Sequence, residues 1–494
     1  MSNHNCLKEE FFLGVDLGTG SLKMVLIDRS GNILTQVKSA YTTDSPQSGW
    51  AQQKPEDWSQ AFRSAMQLLR KHTSIIPEQI RCISFCGAAH IPVLLDKNDQ
   101  PVYPAILWND CRSIKEVEEL EKTLGDHLIR RTSNKPSCTW TLPQLLWLRN
   151  NVSESLNKTV SFLTAKDYLI FLLTGQRGCD SGSAAATLMY DFQVGEWAEE
   201  LIELTGLPMS AFPPVFEPNH FIGTTNSESV QYGLIPEIPV VLGCLDSVAE
   251  MIAANALREN DYLIRLGTAG AVLNLRTDNG YSPGLLTYPF PSEGLSIKQA
   301  GTNSCGRSVD WIQEIFSATP EEMNIVSEIN AGSEGLFFHP FLQGERAPYH
   351  NPALRGSFIG ITVRHRREHF LRAVLEGISY SLRDCLESMT NGKKPFTSVP
   401  VVGGGVRYKN WLPILSNILG CSLISMPDQD STLGAAILAK TTIETKKLSD
   451  SSKPKSFSSC RIQPDWKQTE IYNEYFEQYQ QIAGCLNKIY EPKN

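Results

Sequence analysis

Two stretches of one pattern, about 250 residues apart, limit what this chain can fold into. "FFLGVDLGTGSLKMVLID" runs from Phe11 to Asp28, and "DYLIRLGTAGAVLNL" runs from Asp261 to Leu275. Each is an apolar run, a Gly/Thr turn and a second apolar run, the pattern of a β-hairpin. A chain of 494 residues is too long for one ordinary core, so two domains are expected, and a copy of the hairpin in each reads as a duplicated domain. The boundary falls near Leu257 to Asn260, giving units over residues 1–257 and 258–494.

Apolar runs alternate with helical patterns along most of the length, which predicts an α/β architecture. A helix is expected from "KPEDW", with Trp58, Phe62, Met66 and Leu69 forming its buried stripe. "RCISFCGAAHIPVLLD" reads as two strands around a small-residue turn, with His90 near a strand end. "PEIPVVLGCLDSVAEMIAANAL" reads as strand, Gly turn and helix, which puts Asp246 at a helix start, where a carboxylate is favoured. "VPVVGGGVRYKNWLPILSNILG" reads as strand, triple-Gly turn and helix, and "STLGAAILAK" as a closely packed helix. The polar stretch Glu444 to Cys460 reads as a surface loop before a terminal helix around Trp466 to Tyr490.

Charge and cysteine content exclude several classes. With 45 basic and 53 acidic residues the net charge is −8, and no Lys/Arg cluster marks a nucleic-acid surface. The basic run "RHRREH" is flanked by "FLRAVLEGISYSL" and reads as a solvated helix start. The opening "MSNHNCLKEE" lacks the apolar core of a secretory signal. The longest apolar run is broken by Asp246 and Glu250, so no membrane span and a cytoplasmic location are expected. The 12 cysteines show no paired framework, and Cys82 and Cys86 lack a second pair at zinc spacing, so neither a disulfide nor a zinc site is expected.

Gly, Thr and Ser in a tight turn let backbone N–H groups approach an oxyanion closely. Taken singly, each turn is equally the end of an ordinary hairpin. Two such turns facing one cleft can hold the phosphates of one nucleotide from both sides. Asp16 stands just before "LGTG", where a carboxylate beside phosphates calls for a cation between them, which points to Mg²⁺ held largely through water. Gly403 to Gly405 offer a flat backbone surface to an adenine or ribose. Neither GxGxxG nor a Walker A loop is present.

"VDLGTG", "GCLDSVAEM", "LGTAG", "VVGGGVRYKNW" and "STLGAAILA" occur in the order that resembles the FGGY carbohydrate kinases, within the wider superfamily of actin, hexokinase and the heat-shock chaperone ATPases. Gly356 to Gly377 is similar to that family's long C-terminal signature, and "SGWAQQKPEDW", "ILWNDCRS" and "FLQGERAPYHNPALRGSF" most resemble its xylulose kinase branch. The resemblance spans about Phe11 to Lys440 and implies two ribonuclease-H-like domains flanking a central cleft for ATP, Mg²⁺ and a sugar. It assigns Asp16 to the metal and Gly18, Thr19 and Gly20 to the first phosphate turn. Gly267, Thr268 and Gly270 fall to the second turn, Gly404, Gly405 and Asn410 to the adenosine, and Asp246 to the general base. It also implies a dimer.

The resemblance thus implies transfer of a phosphoryl group from ATP to a sugar hydroxyl, with D-xylulose the leading substrate. Other ketoses, polyols and gluconate are alternatives, because pocket shape decides among them. A non-catalytic sugar or nucleotide sensor is the reading from a different class, disfavoured by the presence of Asp246. On the sugar side, Ala88 and Ala89 stand where the branch carries Gln and Met, which widens or reshapes the pocket, and His90 matches its His. His90 either orients a hydroxyl or is a buried histidine with a backbone partner; Trp108 either lines the pocket or packs the core. Gln144 replaces the usual Lys. Arg346 either pairs with Glu345 or another acid, or reaches the cleft.

Overall fold

The computed structural model describes residues 9–292, 294–390, 392, 397–448 and 459–490. The polar stretch Glu444 to Cys460 therefore lies partly outside the described residues. Both hairpins form as expected. Strand β1 (Phe11–Leu17) pairs antiparallel with β2 (Ser21–Asp28), which pairs antiparallel with β3 (Ile33–Ala40). On its other side β1 is parallel to β4 (Ile80–Gly87), and Phe221–Thr224 (β5) closes the edge against β6 (Pro239–Leu245), giving the order β5-β6-β4-β1-β2-β3.

The second sheet repeats this plan. Tyr262–Leu266 (β7) pairs antiparallel with β8 (Gly270–Arg276), and β8 with β10 (Ser296–Thr302), whose other neighbour is β9 (Leu286–Pro289). On the far side β7 is parallel to β11 (Ser398–Val402), β11 to β12 (Ser422–Ser425), and β13 (Cys460–Ile462) closes the edge antiparallel. Three antiparallel strands followed by two parallel ones, in the same spatial order, make each sheet ribonuclease-H-like. The duplication seen in the two hairpins extends through the whole sheet.

The expected helix after Lys54 is α1 (Pro55–Thr73), with Pro55 at its first turn and Trp58, Phe62, Met66 and Leu69 all buried. Asp246–Ala253 forms α2, and Asp246 is its first residue. One detail differs from the sequence reading: no Gly turn separates strand from helix. Gly243 is a bulge inside β6, at φ 81°, and a Cβ there would stand 1.7 Å from the Phe85 carbonyl. The strand then delivers Asp246 directly to the helix start. The remaining helices that matter are α3 (Gly306–Phe316), α4 (Arg367–Thr390), α5 (Trp411–Leu419), α6 (Ser431–Ile443) and α7 (Trp466–Ile489). In the basic run Arg364 is the second residue of a turn with Val363, residues 365–366 are irregular, and α4 begins at Arg367, as a solvated helix start requires. Among the described residues no helix is long and apolar enough to cross a membrane.

Helix α6 belongs to the second half of the chain yet lies on the first sheet and against α2. It fits because small residues let backbones touch: a Cβ at Gly14 would stand 2.1 Å from the Thr432 carbonyl, and one at Gly434 only 1.8 Å from that of Ala249. The apolar cluster accordingly runs without a break from Phe12 and Val25 through Val248 and Ile252 to Leu433, Ala436 and Leu273. Gly434→Ala is expected to lower stability by about 2 kcal/mol or more through backbone displacement. The urea midpoint should fall at unchanged slope, and an unaltered midpoint would contradict this packing.

Candidate active site

The two Gly/Thr turns join β1 to β2 and β7 to β8. In the first turn, Gly18 N–H donates to the Ser21 carbonyl at 3.1 Å, the Tyr41 hydroxyl donates to the Gly18 carbonyl, and Gln53 Nε2 donates to the Thr19 carbonyl at 2.7 Å. The Thr19 hydroxyl accepts from Trp108 Nε1 at 2.9 Å. Gly20 is exposed. These bonds hold the turn rigid without covering Gly20. Trp108 thereby ties its own segment to the first turn, and its ring packs against the apolar core of the first half.

The second turn is fastened to the start of α3. Gly306 N–H donates to the Gly267 carbonyl at 2.8 Å, and Cys305 and Arg307 N–H donate to the Thr268 carbonyl at 3.0 and 3.1 Å. Thr268 is exposed, while Gly270 is buried against Thr302 and Cys305. The triple glycine runs beside this turn: the Cβ position of Gly403 is 2.7 Å from the Leu266 carbonyl. Gly404 is exposed, whereas Gly405 packs under Leu266 and Trp411, and Asn410 caps α5. Of the three, Gly404 alone presents an open backbone face.

Between the turns lie the acids. Asp16, at the end of β1, is 4% exposed, and its Oδ2 accepts from Ser431 Oγ at 2.9 Å. Lys23 Nζ stands 3.9 Å from Asp16 and 3.6 Å from Asp430, the residue that caps α6. Asp246 turns Oδ1 back to the N–H of Ser247 at 2.6 Å, and its Oδ2 faces Arg265 Nη1 at 3.3 Å. The same Nη1 reaches Glu250 Oε2 at 3.2 Å. Arg265 precedes the second turn by two residues, so it bridges the base candidate on α2 to the nucleotide-side strand.

Burial pushes Asp16 up to about 6, with the charges of Asp246 and Asp430 adding to it and Lys23 and Ser431 opposing. Burial likewise pushes Glu250 up to about 7, against the pull of Arg265. Glu250, Arg265 and Lys23 were not singled out from sequence. Glu250 lies one helical turn after Asp246, the spacing that puts both on one face, and this is the signal that marks it.

His90 is buried at φ 65°, its Nδ1 2.6 Å from the Ala186 carbonyl and its Nε2 3.0 Å from the Tyr288 hydroxyl. Burial takes its pKa down to about 4, so the ring is neutral, with Nδ1–H as donor and Nε2 accepting from Tyr288. Both nitrogens are thus engaged within the protein. Ala88 and Ala89 are partly exposed beside it. Tyr288 comes from the second half, as does Thr287, whose N–H and carbonyl are both held by the Asn134 side chain at 2.8 and 2.9 Å. The buried Gln144 amide donates to the Leu107 carbonyl at 3.3 Å and so steadies the residue before Trp108.

Arg346 corrects one expectation. Its guanidinium forms no ion pair with Glu345, whose carboxylate is filled by Thr302 Oγ1 and the N–H groups of Asn303 and Arg346. The guanidinium instead bonds the Thr302 carbonyl at 3.3 Å and lies 5.8 Å from the centre of the Trp108 ring, across the cleft.

Residues 11–253 match the N-terminal domain, and residues 263–442 the C-terminal domain, of the FGGY family of carbohydrate kinases. The chain belongs to this family. Kinases of this family use ATP, and the acceptor is an alcohol group of a small-molecule sugar. The xylulose kinase of Lactococcus lactis subsp. lactis is 35% identical over 442 residues, 87% of each chain. Among solved structures, ligand-bound xylulose kinase from Lactobacillus acidophilus has a TM-score of 0.89 at 25% identity, covering 97% of this chain and 99% of that one. Gluconate kinase from the same organism also scores 0.89 at 25% identity, covering 98% and 99%.

The raised carboxyl of Asp16 carries a stability consequence for this carbohydrate kinase. Its folded value, about 6, lies above the 3.8 of an unperturbed Asp, so its charge opposes folding, and the stability it leaves intact below pH 4 is lost as pH rises through 6. Asp16→Asn is expected to flatten this slope and to gain on the order of 2 kcal/mol at pH 7. Denaturation series at pH 4 and pH 7 check this; a variant with the same pH slope as the parent would overturn it.

Proposed function

We propose that this protein transfers the γ-phosphoryl group of Mg·ATP to a hydroxyl of D-xylulose, giving D-xylulose 5-phosphate, in a cleft between units over residues 1–257 and 258–494. The observation that supports the reading is that Asp16 and Glu250 both feel the charge of Asp246, with the exposed Gly20 and Thr268 in the Gly/Thr turns that follow Asp16 and Arg265. In this reading the first turn (Gly18, Thr19, Gly20) and the second (Gly267, Thr268, Gly270) hold the phosphates, and Gly404 with the neighbouring Gly405 and Asn410 borders the adenosine. ATP sets the compartment as the cytoplasm.

The residues present fit Mg²⁺. Their donors are carboxylate oxygens, the choice of a hard cation, and a cation would offset the burial, and the smaller charge repulsion, that raise Asp16 and Glu250. Among the described residues no group of three or more His, Cys, Asp or Glu forms a cage, so most ligands would come from water and phosphate, as Mg²⁺ prefers. Asp16 would hold the ion, directly or through water, and the ion would supply neutralisation of phosphate charge.

Asp246 acts as general base. Its Oδ2 takes the hydroxyl proton while the sugar oxygen forms its bond to phosphorus and the bond from phosphorus to the ADP oxygen breaks. Arg265 positions the carboxylate of Asp246. Trp108 and Arg346 wall the cleft from opposite halves. His90 presents Tyr288 rather than a free nitrogen, and Ala89 leaves room beside it for the sugar. Asp246→Ala is expected to lower kcat by about 10²–10⁴-fold with ATP affinity preserved. Near-normal turnover in that variant would remove Asp246 from the role of base.

The choice of sugar rests on the likeness to xylulose kinases, and gluconate is the second reading because a gluconate kinase superposes equally well. A coupled ADP-release assay over D-xylulose, L-xylulose, D- and L-ribulose, gluconate, erythritol, ribitol and glycerol decides it. Highest kcat/KM is expected for D-xylulose. Preference for gluconate would reassign the pocket around Ala88 and Ala89, and ATP binding without turnover on any acceptor would favour a sensor.

A further inference from the structure

A second polar hollow lies at the other end of the strand that carries the second turn. Gly270 opens β8 beside that turn and Arg276 ends it six residues later, a separation of roughly 20 Å at the rise of a strand. There a cavity of about 230 Å³ is lined by Asn274, Arg276, Asp278, Ser282, Lys298 and Ser388, among others. Lys298 stands directly opposite Asn274 in the β8–β10 ladder, and Arg276 is two residues along on the same face, so the two cations are diagonal neighbours.

Among the described residues their hydrogen-bond partners are all neutral. Lys298 is 3% exposed, and its Nζ donates to the Gly280 carbonyl and, at 3.2 Å, to Thr287 Oγ1. Arg276 donates to Asn274 Oδ1, to the Met389 carbonyl at 3.3 Å and to the Tyr262 hydroxyl at 3.5 Å. Among the described residues no carboxylate forms an ion pair with either. The one acid of the hollow, Asp278, is exposed, and its Oδ1 is taken by the Gly280 N–H at 2.8 Å. Buried charges are ordinarily paired, since an isolated one gives up its hydration for nothing. Burial, reinforced by Arg276, accordingly takes the Lys298 ammonium down to about 8, with Asp278 opposing.

We propose that this hollow is a second ligand site, for a small phosphate monoester, with Arg276 and Lys298 holding the phosphate and Ser282, Ser388 and Asn274 holding hydroxyls of the organic part. A dianion neutralises both cations, and a planar guanidinium matches phosphate geometry. The site adjoins a contact between the halves, because Lys298 bonds Thr287 and Thr287 is the residue gripped by Asn134.

Calorimetric titration of the whole protein with glycerol 3-phosphate, with the nucleotide cleft saturated by Mg·ADP, tests this. One equivalent is expected to bind, at least tenfold more weakly in Arg276→Gln and in Lys298→Met, while kcat without added phosphate ester stays as in the parent. The methionine keeps the length of Lys298 and fills its volume, and the glutamine variant provides an independent arm if that substitution unfolds the chain. No binding, or equal binding by the parent and both variants, overturns the site. Tighter binding of citrate than of glycerol 3-phosphate overturns the assignment to a phosphate ester.

Discussion

The contact on which the rest of this structure depends is the one between two helix backbones, at Gly434 of α6 and Ala249 of α2. With no side chain between them the helices approach as closely as van der Waals radii permit, and neighbouring small residues extend the contact to Gly14 on the first sheet. Three site elements hang from this join. Ser431 at the start of α6 bonds Asp16, Asp430 shares Lys23 with it, and Asp246 opens α2. The acids thus keep their spacing because two halves of the chain are packed into one layer, through contacts remote from the chemistry.

That layer brings several carboxylates into a poorly hydrated space, an arrangement that opposes folding. Lys23 and Arg265 reduce the repulsion without removing it, and Asp16 and Glu250 remain raised. Clusters of this kind are retained where charge must be met by a cation or a proton, which is the demand of phosphoryl transfer. Arg265 has two partners, Asp246 and Glu250, so releasing one still leaves it paired.

Contacts between the two halves hold the segments around His90 and Trp108. His90 meets Tyr288, Asn134 grips Thr287, and Arg346 faces Trp108, each pair drawing one residue from each half. Specificity in such a pocket is a matter of shape, since one fold serves both a xylulose kinase and a gluconate kinase at equal structural likeness. The small residues Ala88 and Ala89 are where this chain has most freedom to differ.

Much was legible in the sequence because it is local. The hairpins, the helix after Lys54, the helix start at Asp246 and the small-residue helix at Ser431 follow from periodicity and turn chemistry, which act over a few residues. The motif order was enough to place the chain in its family. Lys23, Arg265, the His90–Tyr288 bond and the orientation of Arg346 were not legible, because each depends on a partner from another element. Nothing in the sequence around Arg276 and Lys298 sets them apart, and only pairing of the strands makes the two cations diagonal neighbours. Sequence separation carries no distance, so the elements were written in the chain, while which charges would meet was decided when the sheets and helices packed.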